Sequence, residues 1–223
     1  MDKVSRLFLE ERHLIERAVK ARQMEFSTGR ELARELLARL GVHGLPILSG
    51  DDRSPIWPEG IVGSISHTRT LCTVAVALRS DVLAIGIDLE HDESIGPELW
   101  RSICAREELF WIGQRPAEEQ GALVRLIFSA KECVYKCQYP ETRVPLEFHD
   151  VRVTLDLERG RFSAELSKDA PPIAATGDRL QGVFARSDGH LCTGMVIPAR
   201  PAGKIRSKRP LSLPCGPKSW SGP

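Results

Sequence analysis

One segment limits the fold more than any other. From about residue 118 to 138 the side chains Leu126, Ile127, Phe128, Ala130, Val134, Tyr135 and Cys137 surround Lys131, Glu132 and Lys136. A helix that is apolar nearly all round is buried. A lysine or glutamate taken into a core needs a partner there. The spacing predicts a largely buried helix over 118–138 that stops before Pro140, since a proline in a helix interior removes a hydrogen bond and clashes with the preceding turn. Its ionic groups must be answered by something. A metal ion and a phosphate would do so; a plain Glu132–Lys136 ion pair one helical turn apart is the other reading.

Around that helix the pattern alternates. Residues 4–40 place Leu7, Ile15 and Val19 on one helical stripe and Leu32, Leu36, Leu37 and Leu40 on another, with Gly29 as a candidate break and Gly41, Gly44 and Pro46 as the end. Residues 49–60 read as a turn-rich loop. Strands are predicted at 61–67, 72–78 and 83–90, helices at Glu98–Cys104 and Arg106–Gly113, and further strands at 151–157, 161–167, 180–186 and 190–197. This order implies an α+β fold in which a helix-plus-sheet unit occurs about twice. The expected domain spans 1–198, with halves of roughly 1–95 and 96–198, and a Pro-rich basic tail over 199–223 is expected to be disordered.

Charge narrows the function. Residues 199–223 hold six basic side chains and no acid; without them, 25 of the 31 basic residues face 30 acidic ones. An anionic ligand must therefore be held by local clusters, because the field of the whole body does not attract it. No zinc-finger spacing or interleaving of aromatic and basic residues points to nucleic acid. No apolar run reaches the roughly 20 residues of a membrane span, and the N-terminus does not read as a signal peptide. Six scattered cysteines read as free thiols. A cytoplasmic enzyme is expected.

Three short stretches carry chemistry. In Gly86-Ile87-Asp88-Leu89-Glu90, a strand would send Asp88 and Glu90 to one face. Two neighbouring carboxylates repel unless a hard cation such as Mg²⁺ lies between them, although Asp-x-Glu also suits a solvated strand end. Phe128–Lys136 brings Lys131, Glu132 and Lys136 onto the buried helix. In Gly63–Thr68, Ser66 and His67 offer donors to a phosphate beside small residues that admit a ligand. Lys20, Arg22 and Arg30, with Arg53 in the loop, would hold several phosphates if they converged.

Taken together and in this order, these segments resemble the Sfp-type 4′-phosphopantetheinyl transferases, especially enterobactin-synthase component D. The resemblance runs from about Arg22 to Pro145 and includes the Arg22–Arg30 stretch, the Trp57-Pro58-Glu59-Gly60 turn, Gly63–Thr68, Gly86–Glu90 and Phe128–Lys136. It implies two pseudo-symmetric α+β halves with coenzyme A bound between them. It implies Mg²⁺ held by Asp88 and Glu132, with Glu90 bound directly or through water. Lys131 and Lys136 would contact the pyrophosphate and, with Glu132, act in catalysis; Arg22, Arg30, Ser66 and His67 would hold the 3′-phosphate region. Arg53 follows Asp52 where relatives commonly have a lysine for that phosphate, and Cys133 stands where they have a serine.

The implied reaction moves phosphopantetheine from coenzyme A to a serine of an acyl or peptidyl carrier protein, of fatty-acid, polyketide or non-ribosomal-peptide (including siderophore) type. A monomer is expected. The alternative is a decayed module that binds a carrier protein or coenzyme A without catalysis, and the presence of Asp88, Glu90, Lys131 and Glu132 argues against it.

Overall fold

The structure is a computed structural model that describes residues 3–167 and 179–199. A 3₁₀ turn at Lys3–Arg6 leads to a short helix, α1 (Leu9–His13), and a long one, α2 (Lys20–Arg39). A small hairpin, β1 (Leu48–Ser49) and β2 (Pro55–Ile56), precedes strands β3 (Ile61–His67), β4 (Cys72–Leu78) and β5 (Val82–His91). Helices α3 (Pro97–Ile103), α4 (Arg106–Ile112) and α5 (Ala117–Thr142) follow. Then come strands β6 (Val151–Asp156), β7 (Arg161–Leu166), β8 (Arg179–Ser187) and β9 (His190–Pro198). The fold is α+β, as expected. The tail over 200–223 lies outside the described residues.

β3 and β4 form an antiparallel hairpin, and β5, β9, β8, β7 and β6 form a five-stranded antiparallel sheet in that order. β5 is the seam between them. Its backbone pairs with β9 on one side, with Asp88 opposite Thr193. On the other side, side chains of β3 reach it: Ser64 Oγ accepts the Ile87 N–H and Ser66 Oγ the Leu89 N–H, both at 3.1 Å. The alternating serines of β3 thus take the place of ladder carbonyls and satisfy backbone donors that would otherwise be orphaned at the edge of the sheet.

α5 lies across the five-stranded sheet and carries the main core, in which Leu123, Ile127, Ala130 and Val134 meet Ala84, Phe162, Met195 and Ile197. The approach depends on Gly86, where a Cβ would stand 2.0 Å from the Cys133 carbonyl oxygen. α2 packs on the β3–β4 hairpin through Ala33 and Leu37 with Ile47 and Ile61.

Several expectations are corrected. α5 does not stop before Pro140 but runs to Thr142 and ends where Arg143 turns left-handed at φ 57°. Pro140 falls in the final turn, where a missing N–H removes one bond without ending the coil. α2 passes straight through Gly29, which is not a break: its bare Cα lets the helix lie on β3 and β4, where a Cβ would be 3.1 Å from Ile65 and 3.7 Å from Cys72. Over residues 4–19 helix is limited to the 3₁₀ turn and the five-residue α1; Leu7 and Ile15 of the expected stripe are buried, but Val19 is exposed. The 49–60 loop contains the β1–β2 hairpin. None of the five cysteines among the described residues is in a disulfide.

Candidate active site

The seam builds the site. Pleating sends Gly86, Asp88 and Glu90 to the face of β5 that meets α5. α5 answers with Arg125, Ser129, Glu132 and Lys136, whose spacing of four, three and four residues forms one stripe along a helix. Arg125 Nη1 meets Glu90 Oε2 at 2.9 Å. Ser129 Oγ donates to Asp88 Oδ2 at 2.8 Å, and Lys136 Nζ donates to Asp88 Oδ1 at 2.5 Å. From β3, Ser66 Oγ donates to Asp88 Oδ1 at 3.1 Å and accepts from Lys136 Nζ at 3.1 Å. Asp88 is only 2% exposed, so its charge is held by a full set of charge-assisted hydrogen bonds.

The negative charge here is concentrated. Burial raises the pKa of Glu90, and the neighbouring charges of Asp88 and Glu132 raise it further against Arg125 and Lys136. Burial likewise raises that of Glu132, with Asp88 adding to it and Lys136 opposing it. A hard cation would relieve that repulsion. Among the described residues no three acidic, histidine or cysteine side chains close into a ready metal cage. Carboxylate oxygens are nevertheless the donors that Mg²⁺ takes, one or two at a time, its shell being completed by water and phosphate oxygens.

His67 points the opposite way from Ser66, toward α2. Its Nε2 lies 3.0 Å from Arg22 Nη1 and its Nδ1 3.6 Å from Glu25 Oε2. Burial lowers its pKa; Glu25 and Asp88 oppose that shift, whereas Arg22 and Lys136 add to it. His67 therefore lies within electrostatic reach of the Asp88–Lys136 pair, with Arg22 attached. Arg53 is exposed, in the left-handed region at φ 65°, and shares a cleft of about 250 Å³ with Trp57, Tyr135, Lys136, Tyr139 and Arg143. A second cavity of about 240 Å³, walled by Glu132, Tyr135, Leu146 and Phe148, shares Tyr135 with the first. A groove of about 510 Å³ across β6–β8 holds none of these residues.

Two of the expected site residues are engaged elsewhere in this structure. Lys131 does not face the site. Its ammonium is 1% exposed and donates to Glu108 Oε2, the Ile103 carbonyl and the Phe148 carbonyl at 2.7, 2.8 and 2.9 Å. All three donors are used, which leaves none for a pyrophosphate. Arg30 is also committed: Nε donates to the Ile47 carbonyl at 2.7 Å and Nη2 to Ser49 Oγ at 3.0 Å, with the guanidinium 4.3 Å from the Phe26 ring centroid. It clamps α2 to the β1 hairpin and does not converge on the cleft.

The structure brings together Ser66, Asp88, Glu90, Glu132 and Lys136, with His67 and Arg22 adjoining and Arg53 across the cleft. Sequence reasoning missed Ser129, Arg125, Thr193 and Glu25. The four-three-four stripe on α5 would have found the first two.

Comparison with known proteins agrees with this layout. The family model described as the 4′-phosphopantetheinyl transferase N-terminal domain matches residues 10–77, and that of the 4′-phosphopantetheinyl transferase superfamily matches 84–193. The chain is 35% identical to 4′-phosphopantetheinyl transferase Svp of Streptomyces mobaraensis, over 91% of this chain and 82% of that protein. It is 33% identical to 4′-phosphopantetheinyl transferase PptT of Mycobacterium tuberculosis, over 84% of this chain and 85% of that protein. It is also 33% identical to enterobactin synthase component D of Salmonella typhimurium, over 66% of this chain and 61% of that protein.

Proposed function

The chain belongs to the 4′-phosphopantetheinyl transferase superfamily, and we propose from that footing that it moves 4′-phosphopantetheine from coenzyme A to a serine hydroxyl of an apo acyl or peptidyl carrier protein. The observation that carries the reading is the ion cluster at the seam, where Lys136 bridges Asp88 and Ser66 between Glu90 and Glu132. Phosphoryl transfer asks a protein mainly for positioning and neutralised charge, and this cluster supplies both.

In this reading Asp88 and Glu132 would hold Mg²⁺, with Glu90 bound directly or through water, and the ion would supply Lewis-acid charge to the pyrophosphate. Lys136 turns from Asp88 to the pyrophosphate and adds positive charge where the leaving group becomes more negative. His67, Arg22, Ser66 and Arg53 bind the phosphates of the nucleotide end, the cations contributing fixed charge and Ser66 a hydroxyl. The pantetheine arm would lie in the cavity walled by Tyr135, Pro145, Leu146, Phe148 and Val151, with Glu132, Glu147 and the buried Lys131 also on its wall. Glu132 takes the proton of the carrier serine as its oxygen bonds to the β-phosphorus. The bridge between the α- and β-phosphates breaks, and adenosine 3′,5′-bisphosphate leaves with the bonding electrons.

Halves around residues 1–95 and 96–198 flank the seam in this account, and a monomer holds the whole site. No described helix is long and apolar enough to cross a membrane. The test is chromatographic. Adenosine 3′,5′-bisphosphate should appear only when the chain, coenzyme A, Mg²⁺ and an apo carrier protein are all present. Release without a carrier would mark a hydrolase, and no release with any carrier class would favour a binding module.

A further inference from the structure

We infer that Ser129, braced by Thr193, is a positioning residue of the transfer site: it turns the Asp88 carboxylate so that Oδ1 faces the cation. The inference rests on the transferase reading above, in which Asp88 holds Mg²⁺.

A serine inside a helix ordinarily returns its proton to the carbonyl one turn earlier. Ser129 spends its single proton elsewhere, on Asp88 Oδ2 at 2.8 Å. The backbone that carries it is held from β9. Thr193 Oγ1 lies 3.0 Å from Ser129 Oγ and donates to the Ser129 carbonyl oxygen at 3.0 Å. Both residues are completely buried, and Thr193 is the cross-strand partner of Asp88. Ser129 of α5 thus meets Asp88 Oδ2 of β5 directly, and Thr193 of β9 stands behind Ser129, with all three side chains buried.

The two oxygens of Asp88 are consequently unlike. Oδ2 is bound to a neutral, immobile hydroxyl in the core. Oδ1 carries the mobile cation, Lys136, together with Ser66. A lysine 27% exposed can leave Oδ1 for a phosphate and open it to a metal, whereas a buried serine cannot leave Oδ2. Groups that hydrogen-bond a metal ligand from behind fix its orientation and basicity. With Ser129 gone, only the contacts at Oδ1 orient Asp88, and the cation loses a preformed ligand once Lys136 leaves.

The experiment uses the full chain, with Mn²⁺ as a paramagnetic substitute for Mg²⁺. Free Mn²⁺ is followed by electron paramagnetic resonance at saturating coenzyme A, in wild type, Ser129→Ala and Thr193→Val. Steady-state constants for Mg²⁺ and coenzyme A are measured alongside. Ser129→Ala should weaken Mn²⁺ binding and raise KM for Mg²⁺ by about 10-fold, leaving KM for coenzyme A unchanged. Thr193→Val, isosteric and one bond further away, should shift the same two quantities in the same direction by less, and it carries the test alone if Ser129→Ala does not fold. Wild-type Mn²⁺ affinity in the folded variants overturns the inference and leaves the transferase reading intact. Absence of Mn²⁺ binding to the wild-type chain, with or without coenzyme A, overturns the metal reading and this inference with it.

Discussion

Replacing Lys131 by methionine should unfold this protein more readily without touching its substrate. Methionine matches the length of the lysine stem, so the perturbation is the loss of a charge and three hydrogen bonds more than a loss of volume. The ammonium binds Glu108 and two backbone carbonyls, and both partners of the ion pair are at most 2% exposed. Glu108 keeps its other bonds, accepting the Ala105 and Val153 N–H groups at 2.6 Å each, but its charge is left buried without a counter-ion. Breaking such a pair costs about 3–5 kcal/mol, a large share of the roughly 5–15 kcal/mol that holds a domain together. With a urea slope of about 2–3 kcal/mol per molar, the midpoint falls by roughly 1–2 M. Neutralising the partner as well, in Lys131→Met with Glu108→Gln, should restore part of that loss, because no isolated charge remains. At low temperature, where the single variant is folded, KM for coenzyme A should equal that of wild type. A Lys131→Met protein with a wild-type midpoint and a strongly raised KM would refute the reasoning and return Lys131 to the pyrophosphate.

Three further outcomes follow from the same geometry. Gly86→Ala should be insoluble or unfold several molar earlier in urea, because its Cβ would need the space of the Cys133 carbonyl at 2.0 Å; a soluble variant with a wild-type melt would show that α5 can lift from β5 at no cost. Arg30→Ala should lower the urea midpoint through lost charge-assisted bonds of about 1.5–3 kcal/mol, with KM for coenzyme A and for 3′-dephospho-coenzyme A unchanged. A rise in KM for coenzyme A alone would mean that Arg30 does read the 3′-phosphate. Burial lowers the pKa of His67 in the fold, so the unfolded chain takes up its proton first, near the ordinary histidine value of about 6.5. Stability is complete above that pH and falls as the pH drops from there through the folded value; urea midpoints between neutral and mildly acid pH should fall less in His67→Gln than in wild type, and equal slopes would contradict this.

Much of this arrangement was legible in the residues themselves. The strand-like runs at 61–67 and 72–78 have the observed ends, and the two-residue repeat of a strand sends Asp88 and Glu90 to one face. Local rules failed where a distant contact decides the outcome. Gly29 reads as a helix break until β3 is seen to need its missing side chain, and Pro140 reads as a stop although the last turn tolerates it. The contrast between Lys131 and Lys136 is the instructive case. Both belong to one motif on one helix, but Lys136 continues the Arg125–Ser129–Glu132 stripe. Lys131 is rotated from Glu132 by the roughly 100° of one helical residue, toward α3, α4 and the turn at Phe148. Its partner Glu108 lies on a separate helix, and nothing local to residue 131 announces it. Arg30 misled for the same reason: a basic residue among basic residues suggests a phosphate, but the carbonyls of Ile47 and Leu48 already hold it.

The most direct test of the account is the intact mass of an apo carrier protein incubated with this chain, coenzyme A and Mg²⁺. Each carrier chain should gain the mass of one phosphopantetheine, and Asp88→Ala or excess EDTA should prevent it. An unchanged mass across acyl, polyketide and non-ribosomal-peptide carriers, or full-rate transfer in excess EDTA, would contradict the account.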